Sequence, residues 1–228
     1  MINDFKKYPA TYSLLTITIL VFLALQITYR NQATTSLAIY NFGGMFGRAV
    51  QFDPQQLWRL VSPVFVHIGW EHLLFNGVTL YFVGRLAEDL WGTAKFLTLY
   101  LLAGIMGNAA TLFFTPTVVS AGASTSLFGL FAAIFIVGYV GNNSVLKRVG
   151  KQFLILILLN LAFNLLDLLS GQPTISLVGH LGGAFGGALT ALFLPMQHHK
   201  TGISTSLKIT ALIAYFTFAV GMVAWSII

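Results

Sequence analysis

Seven runs of predominantly apolar residues recur along the chain, and each is about as long as a helix that crosses a bilayer. An α-helix rises about 1.5 Å per residue, so the hydrocarbon layer needs about 20 such residues. Charged residues make up 8% of the chain, against about 25% in soluble domains. The sequence therefore predicts an all-α polytopic membrane protein with a single membrane domain over residues 1–228. The predicted helices span residues 11–29, 70–90, 94–115, 124–141, 151–169, 177–195 and 207–228.

Basic residues are distributed unevenly between the two ends of these helices. One side holds Lys6, Lys7, Arg85, Lys95, Lys147, Arg148, Lys151, Lys200 and Lys208, and the other holds Arg30, Arg48 and Arg59. Lysine and arginine are enriched in cytoplasmic loops, so the N-terminus is predicted to be cytoplasmic and the C-terminus to lie outside. The formal net charge of +6 is spread over these loops rather than gathered in a patch, which argues against nucleic acid as a partner.

The longest connection, residues 30–69, is only half apolar and includes Trp58 and Arg59. We predict an ordered loop in the membrane interface, where both residue types are common, with Arg59 as an interfacial anchor. The chain has no cysteine, which excludes disulfides and thiolate metal sites.

Four polar residues fall inside the predicted helices at a similar depth. His72 and Asn76 lie in the first two turns of the second helix, on the same face. Ser124 begins the fourth helix, and His180 lies in the first turn of the sixth. All three helices start on the outer side in the topology derived from charge. Because polar groups in hydrocarbon are costly, we interpret this cluster as a functional site.

These residue types match what a serine nucleophile needs for peptide hydrolysis. A hydroxyl such as that of Ser124 becomes nucleophilic when a base removes its proton, and a histidine such as His180 is the usual base. The oxyanion of the tetrahedral intermediate needs hydrogen-bond donors, which His72, Asn76 and the free N–H groups of a helix start can supply. The aspartates predicted on the outer side have no spacing that points at His180, so we predict a dyad rather than a triad.

Glycines predict how the serine and the histidine approach each other. Gly179, Gly183 and Gly187 recur every four residues on the sixth predicted helix, and Gly122 and Gly129 lie at the start of the fourth. Small residues at this spacing allow two helix backbones to pack closely in a bilayer. Such packing brings a short serine within reach of a histidine on another helix.

Several short motifs follow one another between residues 57 and 190, and together they resemble the rhomboid family. They are Trp58-Arg59, the pattern of His67, His72 and Asn76, Glu88 with Gly92, Gly122-Ala123-Ser124 with Phe128-Gly129, and His180-Leu181-Gly182-Gly183 continuing to Gly187. The resemblance implies a six-helix catalytic core, here about residues 11–195, with an extra C-terminal helix over 207–228.

The resemblance also implies roles for the clustered residues. Ser124 is expected to be the nucleophile and His180 the general base, with His72, Asn76 and the Ser124 N–H around the oxyanion. Phe128 is expected to pack against the His180 ring. The family uses no metal or cofactor, and its substrates are single-span membrane proteins cut near the outer surface of the bilayer. We interpret His67, in the loop before the second helix, as a residue with a structural role.

Other functions fit part of the pattern. A zinc protease uses two histidines one turn apart, but His67 and His72 are five residues apart and Glu71 adjoins the second. Transporters often have internal repeats and broken helices near the bilayer midplane, but this sequence shows no repeat and its polar cluster lies near one surface. The main alternative is a rhomboid-like pseudoprotease that binds membrane clients without cutting them, because the family usually has glycine where this chain has Thr125, a stiff β-branched residue. The plain layout favours a bacterial plasma membrane, and the sequence gives no indication of oligomeric state.

Overall fold

The chain folds almost entirely into helices. The computed structural model describes residues 2–141, 144–169, 177–197 and 202–228. Within them the α-helices are α1 (Ile2–Lys7), α2 (Pro9–Tyr29), α3 (Ser36–Asn41), α4 (Gly47–Phe52), α5 (Gly69–Thr79), α6 (Arg85–Trp91), α7 (Thr93–Phe114), α8 (Ser124–Val140), α9 (Ser144–Leu169), α10 (Leu177–Phe193) and α11 (Thr205–Ile227). The shorter elements are 3₁₀ segments at Arg30–Gln32, Pro54–Leu60 and Ser62–Phe65, a π-helical segment at Leu80–Gly84, and the antiparallel pair β1 (Met45–Phe46) and β2 (Val119–Ser120).

This is an all-α polytopic membrane fold, as predicted. Among the described residues, three helices are long and apolar enough to cross a bilayer, at Pro9–Gln32, Thr93–Phe114 and Thr205–Ile227. α8 and α10 are shorter apolar helices. α5, the π-helical segment and α6 follow one another without a break over residues 69–91. Large apolar side chains such as Phe163 and Trp225 are exposed on the outer faces, where the surrounding solvent is lipid.

The start of the fifth helix was predicted seven residues too late. α9 begins at Ser144, so Lys147, Arg148 and Lys151 lie on the helix rather than in the connection before it. All three side chains are exposed, and the Lys147 ammonium lies 5.1 Å from the centre of the Tyr139 ring. Long basic side chains extend along apolar surface towards water, so a helix continues past the edge of the hydrocarbon without burying their charge.

The prediction for Arg59 was also wrong, although the connection 30–69 is ordered. Only 4% of Arg59 is exposed. Its Nη1 donates hydrogen bonds to the carbonyls of Tyr40 at 2.6 Å and Gly44 at 2.8 Å. The guanidinium also lies 4.0 Å and 4.4 Å from the ring centres of Tyr40 and Trp58. Arg59 therefore joins parts of the loop to one another instead of anchoring it to lipid headgroups.

A buried carboxylate joins the start of α2 to α6 and to the start of α7. Glu88 of α6 is 3% exposed, and it accepts hydrogen bonds from the Ala10 N–H, from the Thr11 N–H and hydroxyl, and from the Thr93 hydroxyl, at 2.7–3.0 Å. A helix start offers N–H groups that have no partner inside the helix, and it favours negative charge. Glu88 thus caps α2 and fixes it against α6 and α7.

Candidate active site

Ser124 is the first residue of α8, and the loop before it is held on both sides. β2 pairs with β1, and the Gly122 N–H donates a hydrogen bond to the Pro63 carbonyl at 2.9 Å. Gly122 has φ +133°, and an added Cβ there lies 2.6 Å from His72 Cε1. Only glycine adopts this backbone conformation easily and also leaves the space. The glycine therefore allows the His72 ring to lie beside the start of α8.

His67 supports the same loop from the other side. It is fully buried before α5, and its Nε2 accepts a hydrogen bond from the Ala123 N–H at 3.3 Å. Burial, with a smaller effect from His72, lowers the pKa of His67 to about 3. The ring is therefore neutral near pH 7 and keeps the lone pair that this bond requires.

α10 lies against α8 along a line of glycines. An added Cβ at Gly183 meets the backbone of Thr125, and one at Gly187 meets the backbone of Gly129. Even an alanine methyl group has no space at either position. This contact brings the first turn of α10, which carries His180, against the first turn of α8.

The structure brings Ser124 and His180 together. His180 Nε2 lies 2.8 Å from Ser124 Oγ. The imidazole is parallel to the Phe128 ring, with 4.2 Å between the ring centres and 7° between the planes. Among the described residues, His180 Nδ1 has no hydrogen-bond partner. Asp53 caps the 3₁₀ segment Pro54–Leu60 in the connection between α2 and α5, and the side chain of Asp167 lies outside the described part of the chain.

His72 and Asn76 present hydrogen-bond donors towards the same place. His72 Nδ1 accepts a hydrogen bond from the Ile68 N–H at 3.2 Å, so the proton of the neutral ring is on Nε2. That nitrogen lies 2.8 Å from an added Cβ on Gly122. Asn76 Nδ2 donates to the His72 carbonyl at 2.9 Å and has a second hydrogen available. His72 thus offers an N–H next to Gly122, and Asn76 offers one on the wall of the cavity that also contains Ser124.

The four predicted site residues line one cavity of about 620 Å³. Its wall continues onto Glu71 and Phe75 of α5, Asn108 of α7 and Asn160 of α9. The sequence analysis did not assign Asn108 to the site, although a polar residue inside an apolar span is a signal of function. Glu71 was considered only as part of a possible zinc-protease motif. In the described residues no three His, Asp or Glu side chains are arranged to hold a metal ion.

Thr125 has space because a residue on another helix is small. An added Cβ on Gly107 of α7 lies 2.9 Å from Thr125 Cβ. The threonine is 8% exposed, and its hydroxyl has no hydrogen-bond partner among the described residues. The sequence shows both residues but not that they face each other. Gly107 therefore accommodates the branched side chain that follows Ser124.

The chain matches a family model, and its sequence is also similar to those of individual known proteins. A family model described as a rhomboid domain matches residues 54–197. Rhomboid protease GluP of Bacillus subtilis (strain 168) is 35% identical over 191 residues, which cover 83% of this chain and 36% of GluP. Rhomboid-like protease 3 of Toxoplasma gondii is 34% identical over 142 residues, which cover 61% of this chain and 52% of that protein. The chain thus matches only about a third to a half of these relatives.

A relative of a different kind matches too. Inactive rhomboid protein 2 of Homo sapiens is 32% identical over 167 residues, which cover 73% of this chain and 19% of that protein. Proteins named as proteases and a protein named as inactive are therefore similar to this chain to nearly the same degree. Overall identity does not separate the two groups, so the chemistry has to be argued from individual residues.

Proposed function

This chain belongs to the rhomboid family, and we propose that it is an intramembrane serine endopeptidase in which Ser124 is the nucleophile and His180 the general base. The observation that carries the proposal is the 2.8 Å contact between Ser124 Oγ and His180 Nε2. This contact lies on the wall of a cavity that His72 and Asn76 also line. A serine and a histidine in hydrogen-bond contact, with donors close by, are the arrangement that acyl transfer requires.

The reaction begins with transfer of the Ser124 hydroxyl proton to His180 Nε2. Ser124 Oγ forms a bond to the scissile carbonyl carbon, and the carbonyl oxygen becomes an oxyanion. His180 then gives the proton to the leaving amine as the C–N bond breaks, which leaves an acyl-enzyme. Water then attacks the ester with His180 again as base, and His180 returns that proton to Ser124 Oγ as the bond to the acyl carbon breaks and the acid is released. Stacking on Phe128 keeps the imidazole at the angle that these proton transfers need.

The oxyanion receives hydrogen bonds from the side chains of His72 and Asn76 and from the Ser124 N–H. The first N–H groups of α8 have no acceptor inside the helix, so one of them is available. The Ile68 N–H donates to His72 Nδ1, which leaves the proton of the neutral ring on Nε2, the nitrogen beside Gly122. Donors that are already oriented in a low-dielectric site stabilise developing charge strongly, because they do not have to reorganise during the reaction.

The substrates in this proposal are single-span membrane proteins, and the bilayer is the medium in which they reach the enzyme. Phe75 of α5 and Asn160 of α9 both line the cavity, and in this proposal a substrate helix gains access laterally between these two helices. The charge distribution supports a cytoplasmic N-terminus and an outer C-terminus. The cavity is then near the outer surface, which gives water a short path. We expect a bacterial plasma membrane as the location.

The proposal is tested by labelling the detergent-purified protein with a fluorophosphonate, which reacts with activated serines. Ser124→Ala and His180→Ala are expected to lower the labelling rate by at least about 1,000-fold, as in other serine hydrolases. The matched control is Ser120→Ala, because Ser120 lines the same cavity and has no histidine in hydrogen-bond contact in the described residues. Wild-type labelling of folded His180→Ala would contradict the assignment of the base.

A pseudoprotease that holds membrane clients is the second candidate, and the similarity to an inactive rhomboid protein favours it. The presence of both Ser124 and His180 favours the protease. The same labelling distinguishes the two. Folded wild-type protein that takes up no probe, yet retains a single-span peptide in lipid nanodiscs, would support the pseudoprotease.

A further inference from the structure

The chain has six acidic residues, and Glu71 is one of them. Its surroundings differ from those of the other acidic residues that the structure describes. Four of the others have partners in the structure: Asp4 and Asp89 form ion pairs, Asp53 caps a 3₁₀ segment, and Glu88 caps α2. The Asp167 side chain lies outside the described residues. Glu71 is exposed and has no hydrogen bond or ion pair to any residue that the structure describes. Its carboxylate is therefore available to a group from outside the chain.

The position of Glu71 connects that carboxylate to the candidate active site. It lies in the first turn of α5, directly before His72, and it lines the cavity that contains Ser124. Apart from histidines, it is the only charged side chain on the described wall of this cavity. Most of the wall is apolar, and low-dielectric walls concentrate the field of a charge within a cleft. A single unpaired negative charge then acts on whatever peptide segment occupies the cavity.

We propose that Glu71 is a specificity-determining residue, which favours substrates with a lysine or arginine close to the bond that is cut. The inference rests on the proposed function for the cutting step, but the binding preference is a separate property of the cavity. A cationic side chain pairs with Glu71 and also removes the repulsion that an acidic substrate residue would meet. A preference of about fivefold is expected, at the upper end for a partly exposed ion pair.

A purely structural role for Glu71 predicts a different result in the same binding experiment. Carboxylates in the first turn of a helix stabilise it through the helix dipole. Such an effect changes the stability of α5 and acts equally on every substrate, whatever its charge. A difference between charged and neutral substrates therefore separates recognition from stabilisation.

The test measures peptide binding to the full chain in lipid nanodiscs. Ser124→Ala protein is titrated with single-span peptides that carry Lys, Gln or Glu at successive positions next to the membrane. We expect the Lys peptide to bind about fivefold more tightly than the Gln peptide at one or two positions, and added salt to weaken this preference. The variant Glu71→Gln is expected to bind both peptides equally, and Glu71→Lys to prefer the Glu peptide.

Asp53→Asn is the matched control. It removes one negative charge from the same predicted side but outside the cavity, and asparagine can still cap the 3₁₀ segment, so the preference should persist. Equal binding of the three peptides in the Glu71 background would overturn the inference, and so would a lysine preference that survives Glu71→Gln. Fluorophosphonate labelling of protein with Ser124 intact reports separately on the proposed function. A charge preference without labelling would support the role of Glu71 and reject the protease.

Discussion

The two halves of the candidate active site are built in opposite ways. Ser124 and His180 stand on α8 and α10, where an added Cβ at Gly183 meets the backbone of Thr125. His72 and Asn76 stand on α5, where an added Cβ at Gly77 meets nothing closer than a Leu15 methyl group at 3.9 Å. α5 also exposes large side chains on its outer face, with Phe75 71% exposed, and it continues into a π-helical segment.

This difference in packing suits the different roles that we propose for the two regions. The proton transfer that we propose between Ser124 and His180 needs sub-ångström positioning, which close packing of backbones can provide. The proposed oxyanion donors are on α5, which has more open space around it and borders the path we propose for the substrate. Irregular helical turns are frequent at functional sites. The comparison therefore predicts that equal substitutions have unequal effects in the two regions.

Alanine at Gly183 and at Gly77 is the sharpest form of this comparison. Gly183→Ala is expected to lower the fluorophosphonate labelling rate by at least about 100-fold, because α10 has to move away from α8. Gly77→Ala is expected to keep the rate and to be equally or slightly more stable, because alanine is the better helix former by up to about 1 kcal/mol. Labelling and thermal unfolding in one detergent measure both. Similar losses in the two variants would show that α5 is packed as tightly as α10.

On α5, we expect a substitution to lower activity without lowering stability. His72→Ala is expected to lower the cleavage rate of a single-span substrate by about 100-fold, the usual effect of losing one oxyanion donor. The unfolding midpoint should change by only a few degrees, because α5 has few close neighbours. Leu74→Ala, on the lipid-facing side of the same helix, is the control and should keep full activity. If His72→Ala instead unfolded the protein, its main role would be structural.

The Phe128 ring tests how strongly the packed side depends on shape. Phe128→Leu removes the parallel contact with His180, so the imidazole gains freedom to rotate. Labelling is expected to slow by roughly fivefold, in keeping with the ~1 kcal/mol that aromatic contacts contribute. Phe128→Tyr keeps the ring and should stay within about threefold of wild type. Equal rates for the leucine and tyrosine variants would remove stacking from the mechanism.

The smallest effect is expected at Thr125, directly beside the nucleophile. Thr125→Val keeps the branched shape that lies against Gly107 and removes a buried hydroxyl without a hydrogen-bond partner in the described residues. We expect the labelling rate to stay within about twofold and the unfolding midpoint to hold or rise, since an unsatisfied buried hydroxyl is unfavourable. A tenfold slower reaction would mean that this hydroxyl bonds to the substrate or to the attacking water.

The fold was predictable because the bilayer restricts what the chain can do. Hydrocarbon thickness sets the length of apolar runs, and the cost of buried polarity draws attention to the few polar residues within them. Ser124 and His180 were found in this way, and the glycine spacing on α10 indicated that their helices pack closely. These signals are local in sequence, so a single chain displays them.

Other features depend on contacts between distant segments. Arg59 was expected at the membrane surface because its partners are backbone carbonyls of residues 40 and 44, which any sequence provides. The space for Thr125 comes from Gly107, and nothing in either residue specifies the other. The start of α9 was placed too late because basic residues were interpreted as a loop, although their long side chains allow a helix to continue.

The cap that Glu88 provides for α2 has a consequence for biosynthesis. The carboxylate lies 77 residues after Thr11, whose N–H donates a hydrogen bond to it, so α2 leaves the ribosome long before its capping group exists. Until α6 is inserted, the first N–H groups of α2 depend on water or headgroups for hydrogen bonds. α2 is therefore held against α6 and α7 only late in assembly. A nascent chain that stops before residue 88 contains α2 without the carboxylate that caps it.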